Sequence, residues 1–336
     1  MQLRLTAVST IVAGAALLAP AASGQRAPEP IIDMHMHALA ADAQGPPPMA
    51  MCTPFPEYAA WDPKAPYLDQ FLVRLKKPEC PDPIWSPMTD AELMEQTLAI
   101  ADRRNITGVL SGPAERVDAW IKARPDRFIP GLSFQLGTRT TPTVAALRQR
   151  HSEGKLKVLG EVSNQYAGIL PDDPRMEPYW TLAEQLDIPV GIHIGTGPPG
   201  VIYLDAPKYR ARMHSALTLE EVLVNHPKLR VYVMHAGYPL LDDMLAVLYA
   251  HPQVYVDVGI IVYNQPRAAF YRYLQALVEG GFGKRVMFGS DQMVWPATIE
   301  RAIKVIDEAP FLSAAQKRDI FHDNAARFLR LAAVTR

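Results

Sequence analysis

Two histidines one residue apart, His35 and His37, close the run Ile31-Ile32-Asp33-Met34-His35-Met36-His37. Side chains two apart on a strand face the same side, so this pair presents two imidazoles together at the strand's C-terminal end. That is half of a metal site, and alone it is a weak signal in a chain with nine histidines. Its weight comes from what stands at the same end of later apolar runs. Glu161 lies at the exit of Lys157-Val158-Leu159-Gly160-Glu161-Val162, His193 at that of Val190-Gly191-Ile192-His193-Ile194, and His235 closes Val231-Tyr232-Val233-Met234-His235. Asp291 follows Val286-Met287-Phe288-Gly289. Imidazole and carboxylate without thiolate suit Zn2+ or a similar divalent ion, one or two per chain, with positions left open for water. Such an ion lowers the pKa of water towards about 7 and polarises a carbonyl. In that chemistry Asp291 moves the proton, and His235 is either a ligand or the group that orients the nucleophile and stabilises developing charge.

Six such residues meet only if the strand ends converge. With Ile106-Thr107-Gly108-Val109-Leu110, Phe128-Ile129-Pro130-Gly131-Leu132 and Val254-Tyr255-Val256-Asp257-Val258 there are eight strand-like runs. Amphipathic stretches separate them: Ala91–Arg103 behind the N-cap pair Thr89-Asp90, then 144–151, 178–186, 219–225, 240–249 and 268–279. Strands alternating with helices imply right-handed crossovers and a parallel sheet, and eight units close an α/β (β/α)8 TIM barrel whose active site lies at the C-terminal strand ends. An open doubly wound sheet fits less well, because no Gly-x-Gly-x-x-Gly follows a strand. Residues 40–88 hold Pro46-Pro47-Pro48 and eight further prolines. This segment is expected to be irregular, without regular helix, and to lie over the active-site face.

The chain has 336 residues and a formal net charge of −1. No basic run interleaves with aromatics, so the footprint of a nucleic-acid binder is absent and a small-molecule substrate is expected. Arg4, the apolar stretch from Ala7 to Leu18 and the small residues Ala21-Ala22-Ser23-Gly24 read as a secretory signal peptide over residues 1–24. The apolar stretch is too short for a stable membrane anchor, which needs about 20 residues. Residues 25–336 then form one exported domain, periplasmic or extracellular, as monomer or homo-oligomer. In an oxidising compartment the two cysteines, Cys52 and Cys80, are expected to pair.

The segments Asp33–His37, Gly191-Ile192-His193, Met234-His235-Ala236-Gly237-Tyr238-Pro239, Phe288-Gly289-Ser290-Asp291 and Asn324-Ala325-Ala326-Arg327-Phe328 resemble the amidohydrolase superfamily. The likeness is to its amidohydrolase-related (amidohydrolase 2) branch, which also contains metal-dependent decarboxylases. It implies a metal-dependent enzyme on a barrel, with His35, His37 and His193 as ligands, Asp291 as ligand or proton shuttle, and His235 as ligand or base. Many superfamily hydrolases bridge two metals with a carbamylated lysine after the fourth strand. Here Lys155 and Lys157 lie at the wrong end of that strand, and Gly160-Glu161-Val162 looks like the motif of members in which a glutamate bridges.

The expectation is therefore hydrolysis of a small amide, ester or lactone. The alternatives are non-oxidative decarboxylation of an aromatic or enoic acid and, from another class, a non-catalytic exported metal- or solute-binding barrel. Arg210 and Arg212, in the long loop after the fifth strand with His214, are candidates to hold an anionic substrate. Trp61, Trp85, Tyr203 and Trp295 are candidates to line the pocket, whereas His151, His226, His251 and His322 are expected to be solvated or capping.

Overall fold

The computed structural model describes residues 28–58 and 60–331; the leader expected over residues 1–24 lies outside them. Eight parallel strands follow one another around a single sheet in chain order. They are β1 (Ile31–His37), β2 (Ile106–Ser111), β3 (Phe128–Phe134), β4 (Val158–Val162), β5 (Val190–His193), β6 (Val231–Met234), β7 (Val254–Asp257) and β8 (Val286–Met287). Backbone bonds from Met34 N to Phe288 O (2.9 Å) and from Asp291 N to His35 O (2.7 Å) join the last strand's exit to the first. The barrel is thus nearly closed, as the alternation of elements required.

Two apolar clusters make up the core of the barrel and its helical layer, apart from a small third one of Val201, Ala206 and Tyr209. The larger fills the layer between strands and helices; the smaller gathers Ile32, Met34, Val109, Val158, Tyr232, Met287 and Phe328. Because the smaller one draws on strands from all round the sheet, it is the packed barrel interior. The closing helix Asn324–Leu329 supplies Phe328 to it and is held by Asn324 Nδ2 donating to Gly283 O and Val286 O. This packing is the structural content of the Asn324–Phe328 motif.

Each expected helical stretch is met within a residue or two, and Ala114–Ala123 and Thr298–Asp307 are ten-residue helices that the expected stretches did not include. Asp90–Arg104, for instance, starts at a reciprocal cap in which Thr89 Oγ1 accepts from Glu92 N and the Glu92 carboxylate accepts from Thr89 N. The proline-rich segment departs from expectation, because it contains a regular ten-residue helix, α1 (Tyr67–Lys76). Its prolines flank rather than interrupt that window, with Pro66 at the N-cap, where a missing N–H costs nothing. A short antiparallel pair, Ala50–Met51 with Ile84–Trp85, and the Cys52–Cys80 disulfide (Cα–Cα 5.8 Å) anchor the segment, and Trp295 Nε1 donates to Met49 O (2.8 Å).

Candidate metal centre

Plain strand alternation does not bring the polar residues inward. Ile32 and Met34 belong to the barrel interior, so strict period two would turn His35 and His37 away from it. The β1 register slips between Asp33 and Met36, which returns both imidazoles to the inside and sends Met36 to the helix side. A second slip, between Leu159 and Val162, does the same for Glu161 on β4. At the exits of β6 and β8, His235 (φ 61°) and Asp291 (φ 48°) adopt the left-handed region that residues with a Cβ rarely occupy. Only β5 delivers its ligand, His193, by regular alternation. Close backbone approach is also required: a Cβ on Gly195 would lie 2.6 Å from His235 Cβ, and one on Gly259 2.6 Å from His35 Nδ1.

The predicted residues converge. Glu161 Oε2 lies 3.8 Å from His35 Nε2 and 3.6 Å from His37 Nε2, while its Oε1 lies 3.8 Å from His193 Nε2 and 3.9 Å from His235 Nε2. Asp291 Oδ1 is 3.0 Å from His37 Nε2 and 3.7 Å from His35 Nε2. Two ligand atoms on one ion at about 2.1 Å each can be at most about 4.2 Å apart. These spans are therefore within the reach of shared ions.

Each imidazole is fixed in the same tautomer. His35 Nδ1 donates to Asp257 Oδ2 (3.1 Å) and His235 Nδ1 to Gly259 O (2.9 Å). His193 Nδ1 donates to Gln165 Oε1 (2.8 Å), an oxygen that also accepts from Gly195 N. His37 Nδ1 faces Ser111 Oγ (3.3 Å), whose own proton goes to Met36 O. All four Nε2 atoms are thereby unprotonated and lie within 4 Å of Glu161, that of His193 also accepting from the Tyr166 hydroxyl. Buried His35 Nε2 has no hydrogen-bond partner among the described residues. An orphaned, buried lone pair facing two carboxylates is what a metal ligand requires.

Electrostatics agree. Burial works against charge on His35, but Asp291 and Asp257 outweigh it and hold the imidazole well above its ordinary value. Burial likewise opposes ionisation of Glu161 and Asp291, yet the surrounding histidines hold both carboxyls below the usual range. Burial, reinforced by His235, lowers His193 to about 3 and keeps it neutral. The field thus favours positive charge between the carboxylates, which a divalent cation satisfies.

Three contributors were not singled out in the sequence. Asp257 ends β7 just as His193 ends β5, so its position was the missed signal. Both its oxygens are committed, Oδ1 to His235 N (3.2 Å) and Gly259 N (2.8 Å), so it orients His35. Tyr166, in the turn Asn164–Ala167 after β4, donates its hydroxyl to His193 Nε2 (3.0 Å). Gln292 clamps His37 by accepting from its N–H and donating to its C=O.

A cavity of about 360 Å³ opens over the cluster. The proline-rich segment covers it with Gln44, Met51, Phe55, Phe71 and Leu75, and Leu39 and Trp295 also line it. Arg210 and Arg212 do not: both are exposed, and Arg210 Nη1 donates to Pro207 O and Tyr209 O. Their loop turns its apolar side inward, burying Tyr209 and Met213. Trp61 and Tyr203 lie outside the lining and Trp85 is exposed. His226, expected to be solvated, is buried between Glu177 (3.1 Å) and Glu184 (3.3 Å), whereas His214 is buried against Tyr209.

Residues 32–331 match the model of one protein family, described as Amidohydrolase. No curated protein matches the sequence. Among solved structures, an uncharacterised TIM-barrel protein from Bordetella bronchiseptica is 20% identical, with a TM-score of 0.57 over 89% of this chain and 98% of that one. A probable 2-pyrone-4,6-dicarboxylic acid hydrolase from Acinetobacter baumannii is 16% identical, with a TM-score of 0.56 over 90% and 99%. A 5-carboxyvanillate decarboxylase from Sphingomonas paucimobilis is 15% identical, with a TM-score of 0.52 over 90% and 99%. These likenesses establish the shared TIM-barrel fold.

Proposed function

We propose a function from one premise: the chain belongs to the amidohydrolase family, whose model spans nearly all of its described residues. It is an enzyme of that family, which sets aside a binding-only barrel. We read it as a metal-dependent hydrolase of a small ester, lactone or amide. One observation carries this reading. The two oxygens of Glu161 are divided between the His35/His37 pair and the His193/His235 pair, so one carboxylate serves two half-sites.

His35, His37, Glu161, His193, His235 and Asp291 would hold one or two divalent ions, Zn2+ in our reading. Bound there, the metal supplies an acidified water and a Lewis acid for the substrate carbonyl. Asp291, kept ionised by the histidines around it, accepts the proton that the attacking water loses. As the water oxygen bonds to the carbonyl carbon and the C–O or C–N bond breaks, Asp291 returns that proton to the leaving oxygen or nitrogen. The Tyr166 hydroxyl, 3.0 Å from His193 Nε2, would be freed from that nitrogen once it ligates a metal and could then donate to an oxygen that gains negative charge. The proline-rich cover keeps bulk water off this chemistry.

A second reading, non-oxidative decarboxylation of an aromatic or enoic acid, is favoured by the Phe55, Phe71 and Trp295 rings in the cavity and by the named activity of the decarboxylase with the same fold. We further propose export by the leader over residues 1–24, which the disulfide supports because such bonds persist in oxidising compartments. The deciding experiment screens the metal-loaded protein on esters, lactones and amides by acid release, and on aromatic carboxylates by carbon dioxide release. Chelator-sensitive hydrolysis is expected; carbon dioxide release without hydrolysis would replace this reading with the second.

A further inference from the structure

Among the described residues, no lysine or arginine lines the cavity. Beyond the metal-facing cluster, its polar groups are uncharged: Gln44, Ser133, Ser163, Thr196 and Asn264. Much of the rest of the lining is an apolar wall, with Met51, Phe55, Phe71, Leu75, Met293 and Trp295. Arg74 and Lys76 flank Leu75, and Lys208, Arg210 and Arg212 follow Pro199, but none of the five is in the lining: Lys76 donates to Pro46 O and Pro48 O, and Lys208, Arg210 and Arg212 are solvent-exposed. A carboxylate placed against that wall would leave water without a counter-charge or a charged donor, a penalty that attraction to a metal at the far end of the substrate does not remove.

The approach to the cavity is lined by aromatic rings, with Arg74 beside one of them, Tyr67. Phe71, in the wall, stacks on Tyr67 (6.3 Å between ring centroids), which lies 6.0 Å from Tyr203, and Tyr203 lies 4.7 Å from Trp61. Tyr67 donates its hydroxyl to Pro199 O (2.7 Å), and Pro199 is itself part of the lining. Tyr203 is 53% exposed. A strip of rings therefore runs from the cavity wall to the surface, pinned at the rim, and offers a path suited to an apolar molecule.

We infer that the substrate is an ester or lactone with an uncharged, largely apolar body, and that the site rejects an otherwise identical compound bearing a carboxylate remote from the reacting carbonyl. This rests on the hydrolase reading above. The test uses matched pairs with the metal-loaded enzyme: methyl 4-acetylbenzoate against monomethyl terephthalate, and phthalide against 5-carboxyphthalide. The neutral member should exceed its charged partner by at least about 100-fold in kcat/KM, which is about 2.7 kcal/mol. Phe71→Arg should narrow that gap by bringing a cation to the wall. A readout independent of turnover is quenching of Trp295 fluorescence by acetophenone and by 4-acetylbenzoate, with Trp295→Phe as the control for signal origin; acetophenone should bind more tightly. Metal-dependent hydrolysis of both members at equal rates overturns the inference and leaves the hydrolase reading intact. Carbon dioxide release without any hydrolysis overturns the hydrolase reading, and then equal affinity for the two ketones overturns the selectivity as well.

Discussion

Asp257→Asn changes one atom and should cost the centre its metal affinity. Asp257 Oδ1 accepts from two backbone donors, His235 N and Gly259 N, while Oδ2 accepts from His35 Nδ1. An asparagine has one acceptor oxygen. Facing it towards the two backbone N–H groups leaves the amide NH2 against His35 Nδ1, and the reverse orientation sets two donors against one. The first arrangement wins, and His35 must then accept at Nδ1 and carry its proton on Nε2. That proton occupies the lone pair a metal would use. Loss of such an orienting partner typically lowers metal affinity 10–100-fold, or about 1.4–2.7 kcal/mol. The assay is competition for Zn2+ with a fluorescent chelator, alongside thermal unfolding of both metal-free proteins to show that the variant folds. An affinity within about twofold of wild type would refute the tautomer argument.

Glu161→Gln should reduce the metal content from about two ions per chain to one or fewer, with a large loss of hydrolytic rate, because an amide cannot bridge two cations; elemental analysis at matched metal supply measures it. Replacing Cys52 and Cys80 with serine removes a cross-link spanning 28 residues and should lower stability by about 3.5 kcal/mol in denaturant titrations. KM should rise too, because Cys52 adjoins Met51 in the cavity wall. His214, lowered by burial to about 4, is neutral when folded yet binds a proton near 6.5 when unfolded. The unfolded state therefore takes up the proton first on acidification, and stability falls as pH drops from about 6.5 by about 3 kcal/mol at pH 4. His214→Gln should remove that share of the pH slope of unfolding.

The strand-end pattern made the barrel and the six central residues legible, since polar groups at the exits of apolar runs have nowhere else to meet. How they turn inward was not legible. It depends on register slips in β1 and β4 and on left-handed backbone at His235 and Asp291, which are set by neighbouring strands and by glycines such as Gly195 and Gly259. Asp257 could have been found by applying the same rule to β7. Tyr166 could not, because the direction of a short turn depends on what packs around it. Proline count misled for residues 40–88: the spacing between Pro66 and Pro78 mattered, and it leaves room for α1. Arg210 and Arg212 share a loop with the catalytic face, but burying Tyr209 and Met213 turns both arginines to solvent.

The central claim is that these side chains form a metal centre that hydrolyses a carbonyl substrate. Its most direct test is to strip the purified protein with a chelator, add back Zn2+ in steps, and follow bound metal and ester or lactone hydrolysis on the same samples. Activity should be absent at zero metal, rise with occupancy and level off at about two ions per chain. Full activity in the stripped protein, or occupancy restored with no hydrolysis of any ester or lactone, would contradict it.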